Sequence, residues 1–168
     1  MMGARAGVVA LTDGQVHQRI DRLTAYLDAW GDLIVSDSGR RMQRRLIEFR
    51  IEAPGAALPV EVRVMYREYY RRGRDGWDIA KYHYEYLDVT RGKRLGYHLH
   101  DIGSRNLVPH AHCQDAVDLE WETAEGPHHL RALELDLREA HEEFMKLWAG
   151  DRSPDCESFR PLDVPRER

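Results

Sequence analysis

The sequence predicts an α+β domain, an antiparallel meander sheet of five or six strands packed by an N-terminal and a C-terminal helix. Three observations carry this reading. Apolar residues recur at helical spacing near both ends, the long stretch between them alternates apolar and polar residues, and short Gly- and Asp-containing turns join its segments. A chain of 168 residues with 42% hydrophobic content can close one core. Residues 1–150 are therefore expected to form a single domain, and the Pro- and charge-rich residues 151–168 a flexible tail.

In the first helix, Val16, Ile20, Leu23, Leu27 and Trp30 share one face, Thr12 and Gln15 form a capping box, and Gly31 stops the run. Leu33 to Ser36 begins strand territory, closed by the turn residues Asp37, Ser38 and Gly39. Ile47, Phe49 and Ile51 alternate with Glu48 and Arg50 as a half-buried strand, and residues 53–59 (APGAALP) form a loop. Val60, Val62, Val64 and Tyr66 continue the period of two. After the RRGRDG turn, Tyr82, Tyr84 and Tyr86 fall on one face, with Trp77, Ile79, His83 and Glu85 on the other. Beyond DVTRG, Leu95, Tyr97 and Leu99 stand opposite Arg94, His98 and His100. Val117, Leu119 and Trp121 suggest a further short strand. Pro127 is then expected to open a helix through Leu130, Leu133, Leu137, Ala140, Phe144 and Leu147, with Gly150 ending it.

Composition excludes several classes. No run approaches the ~18 apolar residues of a membrane span, and AGVVAL is too short for a signal-peptide core, so a soluble cytoplasmic protein with no membrane partner is expected. Cys113 and Cys156 lie in unlike surroundings and are expected to be free thiols. The net charge of -4 hides an asymmetry. Arg40 to Arg74 holds ten arginines against four glutamates, whereas Asp115 to Glu143 holds ten acidic residues against two arginines. These halves can serve separate partners or neutralise each other across the fold.

The chemistry concentrates in residues 97–113, YHLHDIGSRNLVPHAHC, where His98/His100 and His110/His112 form two His-x-His pairs. Strand geometry points His98 and His100 to the same side, about 6.5 to 7 Å apart at Cα. The neighbouring strand, Trp77 to Leu87, admits two registers. A five-residue loop sets Tyr82, Tyr84 and Tyr86 beside Arg94, His98 and His100, while a four-residue loop sets His83 and Glu85 there. The first surface suits RNA: rings stack on bases, Arg94 and Arg105 hold phosphate, and two imidazoles act as base and acid on a 2′-OH without a metal. The second, completed by His110 and His112 from the connecting loop, offers ligands for Zn²⁺, Ni²⁺ or Fe²⁺. A third reading leaves the histidines as half-exposed polar groups of a sheet. His128 and His129 read as cap-region residues of the last helix, and His17 and His141 as solvated. Tyr66, Tyr69 and Tyr70 among arginines fit either a nucleic-acid platform or plain strand propensity.

The segment KYHYEYLDVTRGKRLGYHLH followed by PHAHC resembles small bacterial proteins that include the TumE-type toxins of toxin–antitoxin loci. The likeness runs through Tyr82, His83, Tyr84, Asp88, Gly92, Tyr97, Pro109, His110 and His112, roughly a third of the chain. It departs at Gly96, Tyr97 and His98, where an Arg-Tyr-Asp sequence is expected, and this chain is longer than the compact members. The resemblance implies a bacterial protein with a cognate antitoxin or other protein partner, and RNA as target.

The leading expectation is thus a toxin-like, metal-independent ribonuclease without cofactor. Its catalytic candidates are His98, His100, His110 and His112, and its substrate-binding candidates are Tyr82, Tyr84, Arg94, Tyr97 and Arg105. Two alternatives stay open: a metal-binding protein built on the His-x-His pairs, and a non-catalytic interaction protein using Arg44, Arg45, Arg71 and Arg72.

Overall fold

The computed structural model describes residues 10–54, 62–89, 92–101, 107–115, 128–131 and 134–149. Helix α1 (Asp13–Leu27) leads through a short 3-10 turn into strand β1 (Gly31–Asp37). Strands β2 (Arg44–Pro54), β3 (Val62–Arg72), β4 (Trp77–Asp88), β5 (Lys93–Asp101), β6 (Leu107–Asp115) and β7 (His128–Arg131) follow, and helix α2 (Leu137–Ala149) comes last. The seven strands lie in one sheet in sequence order, each antiparallel to the next. This is the α+β meander that the alternating sequence predicts.

Both helices contribute to one core on one side of the sheet. Val16, Leu23 and Leu27 of α1 join Phe49, Tyr66, Tyr84, Tyr86 and Tyr97 of the strands and Leu137, Ala140 and Phe144 of α2. The Phe144 ring lies 5.5 to 6.2 Å from those of Tyr66, Tyr86 and Tyr97. At the start of α1, Thr12 Oγ1 accepts from Gln15 N while Gln15 Oε1 accepts from Thr12 N, closing the expected capping box. Trp77 Nε1 donates to Asp13 at 2.7 Å and ties this helix end to β4. Beside it, Gly76 has φ 151°, and a Cβ there would stand 2.6 Å from the Leu11 carbonyl oxygen, so only glycine fits.

Three sequence expectations are corrected. Pro127 does not open the last helix: residues 128–131 pair as β7, and α2 starts at Leu137 behind a capping box in which Asp136 Oδ1 accepts from Glu139 N and Glu139 Oε2 from Asp136 N. That phase puts His141 on the buried stripe with Leu137, Ala140 and Phe144, so it is 0% exposed rather than solvated. Third, β4 does not alternate throughout. Tyr69 pairs with Lys81 but Tyr70 with Ile79, and this bulge turns Trp77 and Ile79 onto the core face with the tyrosines. The expected strand at Val117 to Trp121 and the tail 151–168 lie outside the described residues.

Candidate functional site

The β4–β5 register decides which surface the histidines share. Asp88 pairs with Lys93 and His83 with His98, so four residues separate the strands and the His83/Glu85 set stands beside Arg94, His98 and His100. Tyr82, Tyr84 and Tyr97 point the other way, into the core, where they are 3%, 1% and 0% exposed. Three of the expected substrate-binding residues are therefore separated from the histidines by the thickness of the sheet. Tyr82 and Tyr84 stack at 4.3 Å between ring centroids, and Tyr82 Oη accepts from Leu135 N at 3.1 Å, so both serve packing. Tyr66 and Tyr70 are likewise buried, and Arg105 lies outside the described residues.

The second His-x-His pair arrives on a strand, not on a loop. β6 pairs with β5 so that His110 stands opposite His98 and His112 opposite Gly96, and all four imidazoles rise from one face of two adjacent strands. Pro109 is compatible with this strand because the β7 ladder begins one residue later, at His110. One ligand nitrogen from each of His98, His100, His110 and His112 lies within 4.8 Å of the other three. Ring centroids are 4.0 Å apart for His98 and His112 and 4.6 Å apart for His100 and His110. His98 and His110 are buried, 6% and 3% exposed, while His100 and His112 are half-buried.

Glu85 fixes one member of this set. Its Oε1 lies 2.5 Å from His98 Nε2, and Arg94 donates to both carboxylate oxygens from Nε and Nη2 at 3.0 and 3.1 Å. Burial by itself would raise the Glu85 carboxyl, but the His98 and Arg94 charges outweigh it and bring the group down to about 2. An ionised Glu85 only accepts, so His98 donates to it from Nε2 whether the ring is charged or neutral, and among the described residues the buried His98 Nδ1 has no hydrogen-bond partner. The close approach depends on Gly96 between these side chains: a Cβ there would meet Glu85 Oε2 at 2.8 Å and His98 Nε2 at 2.9 Å. His83 stacks on His98 at 4.7 Å, and burial followed by the neighbouring His98 charge lowers it to about 3.

Sequence reasoning held Glu85 and His83 only as one of two registers, and gave Gly96 no role. Glycine inside a strand is the signal that was there to read, since it marks a close approach. Of the four arginines of the interaction reading, Arg44 and Arg71 are exposed, whereas Arg45 is buried against Asp37 and Arg72 pairs with Asp13. Among the described residues no helix is long and apolar enough to cross a membrane. Comparisons with protein-family models, with curated proteins and with solved structures give no match.

Proposed function

We propose that this chain is a metal-binding protein whose centre is one transition-metal ion held by His98, His100, His110 and His112. The observation that carries the reading is the mutual approach of four ligand nitrogens within 4.8 Å on two paired strands. In a tetrahedral imidazole site such nitrogens stand about 3.4 Å apart, so inward movements of under about 1 Å per side chain complete the set. Imidazole donors suit Zn²⁺, Cu²⁺, Ni²⁺ and Fe²⁺. The orphaned His98 Nδ1 fits the same purpose, since a carboxylate on the far nitrogen is how ligand histidines are oriented.

This departs from the metal-free expectation for a physical reason. The tyrosines that made the site look like a base-stacking surface lie in the core, and the histidines taken for loop residues are held by a strand ladder. Elemental analysis of protein purified without a histidine tag tests the reading. About one metal per chain is expected, lost in a His110→Ala, His112→Ala double variant. A metal-free wild type that takes up none on dialysis against Zn²⁺, Ni²⁺ or Cu²⁺ would overturn it.

A second reading keeps the toxin-like action on RNA implied by the resemblance, and the observation favouring it is that Arg94 from β5 and Arg67 from β3 flank the imidazoles on the same face. Expression without a protein partner should then slow growth, and His98→Ala should relieve the effect. Normal growth at high expression counts against it.

A further inference from the structure

The sheet face opposite the helices continues beyond the histidines. Across β4 and β3, the row His98, His83, Arg67 extends the centre sideways, and the next row toward the hairpin ends is Lys81 and Tyr69. One step further, Arg71 pairs with Arg44. The rings are continuous: His83 lies 5.5 Å from Tyr69, and Lys81 Nζ stands 4.1 Å from the Tyr69 ring centroid. Exposure rises in the same direction, from buried His98 through half-buried His83, Tyr69 and Lys81 to exposed Arg44 and Arg71.

The outer end of this path carries two features that oppose folding. Arg44 and Arg71 are directly opposite across the β2–β3 ladder, where like charges repel, and Asp78 of β4, opposite Arg71 on the other side, offsets only part of this. The β1–β2 hairpin closes through Arg41 and Arg44 on a two-residue turn in which Met42 and Gln43 both have positive φ, 45° and 63°, where glycine and asparagine are favoured. Met42 is 96% exposed between these arginines. A bound polyanion would remove the repulsion, and a flat base would cover the methionine.

From this we infer that the open sheet face binds single-stranded RNA, running from the Arg44/Arg71 pair over Tyr69 to the four-histidine centre. A phosphate backbone answers the arginines, and unpaired bases answer the half-buried Tyr69 and His83 rings, as in other strand-binding surfaces. RNA rather than DNA follows from the second reading, on which this inference rests. The inference deepens the second reading by locating its substrate, and stands on residues other than the metal ligands.

Fluorescence anisotropy with a labelled single-stranded RNA of about 12 nucleotides tests it on the full chain, with and without chelator. Binding should be salt-dependent, and Arg44→Glu with Arg71→Glu should weaken it at least tenfold and reduce the salt slope by about 1.4, two phosphate contacts at about 0.7 each. Tyr69→Ala should weaken it about tenfold with little change in slope. Absence of binding at low salt, wild-type affinity in both variants, or equal affinity for DNA of the same sequence would overturn the inference. Protein that ignores RNA while its expression still slows growth through His98 sinks this inference alone, and protein that binds RNA without slowing growth sinks the second reading alone. Protein that binds RNA but takes up no metal sinks the metal reading alone.

Discussion

Tyr66 Oη lies 2.6 Å from His141 Nδ1, joining the middle of β3 to the buried face of α2. Burial raises the Tyr66 hydroxyl well above its ordinary value, so it keeps its proton in this contact. The His141 ring also stands edge-on to Tyr26 and Trp30 at 5.4 and 4.9 Å. Burial lowers His141 from 6.5 to about 4, so between these values the unfolded chain binds a proton that the folded chain refuses. This contribution is fully present above about pH 6.5 and is lost as the pH falls toward 4, with a total on the order of 3 kcal/mol. Urea unfolding at pH 7.5 and pH 4.5 should show the loss, and His141→Gln should reduce it, leaving the part that the lowered His83 contributes. Equal pH dependence in that variant would remove His141 as the cause.

Gly96 sets how closely Glu85 and His98 approach. The Cβ of Gly96→Ala would also lie 3.1 Å from the Tyr84 carbonyl oxygen, which is backbone and cannot swing aside. The side chains must yield instead, and the Glu85–His98 hydrogen bond is the contact in the way. Both Gly96→Ala and Glu85→Gln should lower metal affinity about 10- to 100-fold, the usual effect of losing a ligand's orienting partner. Isothermal titration with Zn²⁺ measures the affinity, and nitrogen NMR of the His98 ring reports whether its proton has left Nε2. Unchanged affinity with a changed ring signal would separate Glu85 from metal binding.

Most of the sheet was legible because a half-buried strand writes its burial into the sequence with period two. The β4–β5 register was not, because loops of four and five residues between Asp88 and Lys93 differ by one position and exchange the whole facing set. Nor was the bulge between Tyr69 and Tyr70, which leaves an irregular pattern around Ala80 that composition does not flag. The start of α2 was signalled by Asp136-x-x-Glu139, but Leu130 and Leu133 also fit helical spacing and extended the reading back to Pro127. For the site, sequence supplied the four histidines and their pairing within each strand. Their convergence needed the β5–β6 register, which a connection of uncertain length hides.

Glu68 is a carboxylate at 0% exposure inside the core and accepts from three residues. Arg19 reaches it through Nε and Nη2 at 3.1 and 2.5 Å, Tyr70 Oη at 2.6 Å and Tyr84 Oη at 2.8 Å. Glu68→Leu removes the acceptor while leaving the guanidinium and two hydroxyls in place, and breaking a buried pair on one side costs about 3 to 5 kcal/mol. Replacing Arg19 as well, by Met, should recover part of the loss because the stranded charge goes with it. Denaturant unfolding of the single and double variants checks this. A double variant less stable than Glu68→Leu would show that Arg19 contributes chiefly by other contacts.

The Met42–Gln43 turn separates stability from binding. Left-handed backbone costs a non-glycine residue about 1 to 2 kcal/mol, and Asn-Gly is the pair best suited to a two-residue turn with positive φ at both positions. Met42→Asn with Gln43→Gly should therefore stabilise the chain by about 1 kcal/mol or more, offset slightly by the freedom glycine gains when unfolded. Met42 is 96% exposed, so its removal forfeits no core packing. If the exposed methionine meets a base at the outer end of the RNA path, the same variant should bind single-stranded RNA several-fold less tightly while keeping the wild-type salt slope, because no arginine is changed. Denaturant unfolding and anisotropy on one preparation read both effects. A variant that is more stable and binds RNA as well as the wild type would show that Met42 lies outside the path, and one that is less stable would show that the left-handed turn carries no strain.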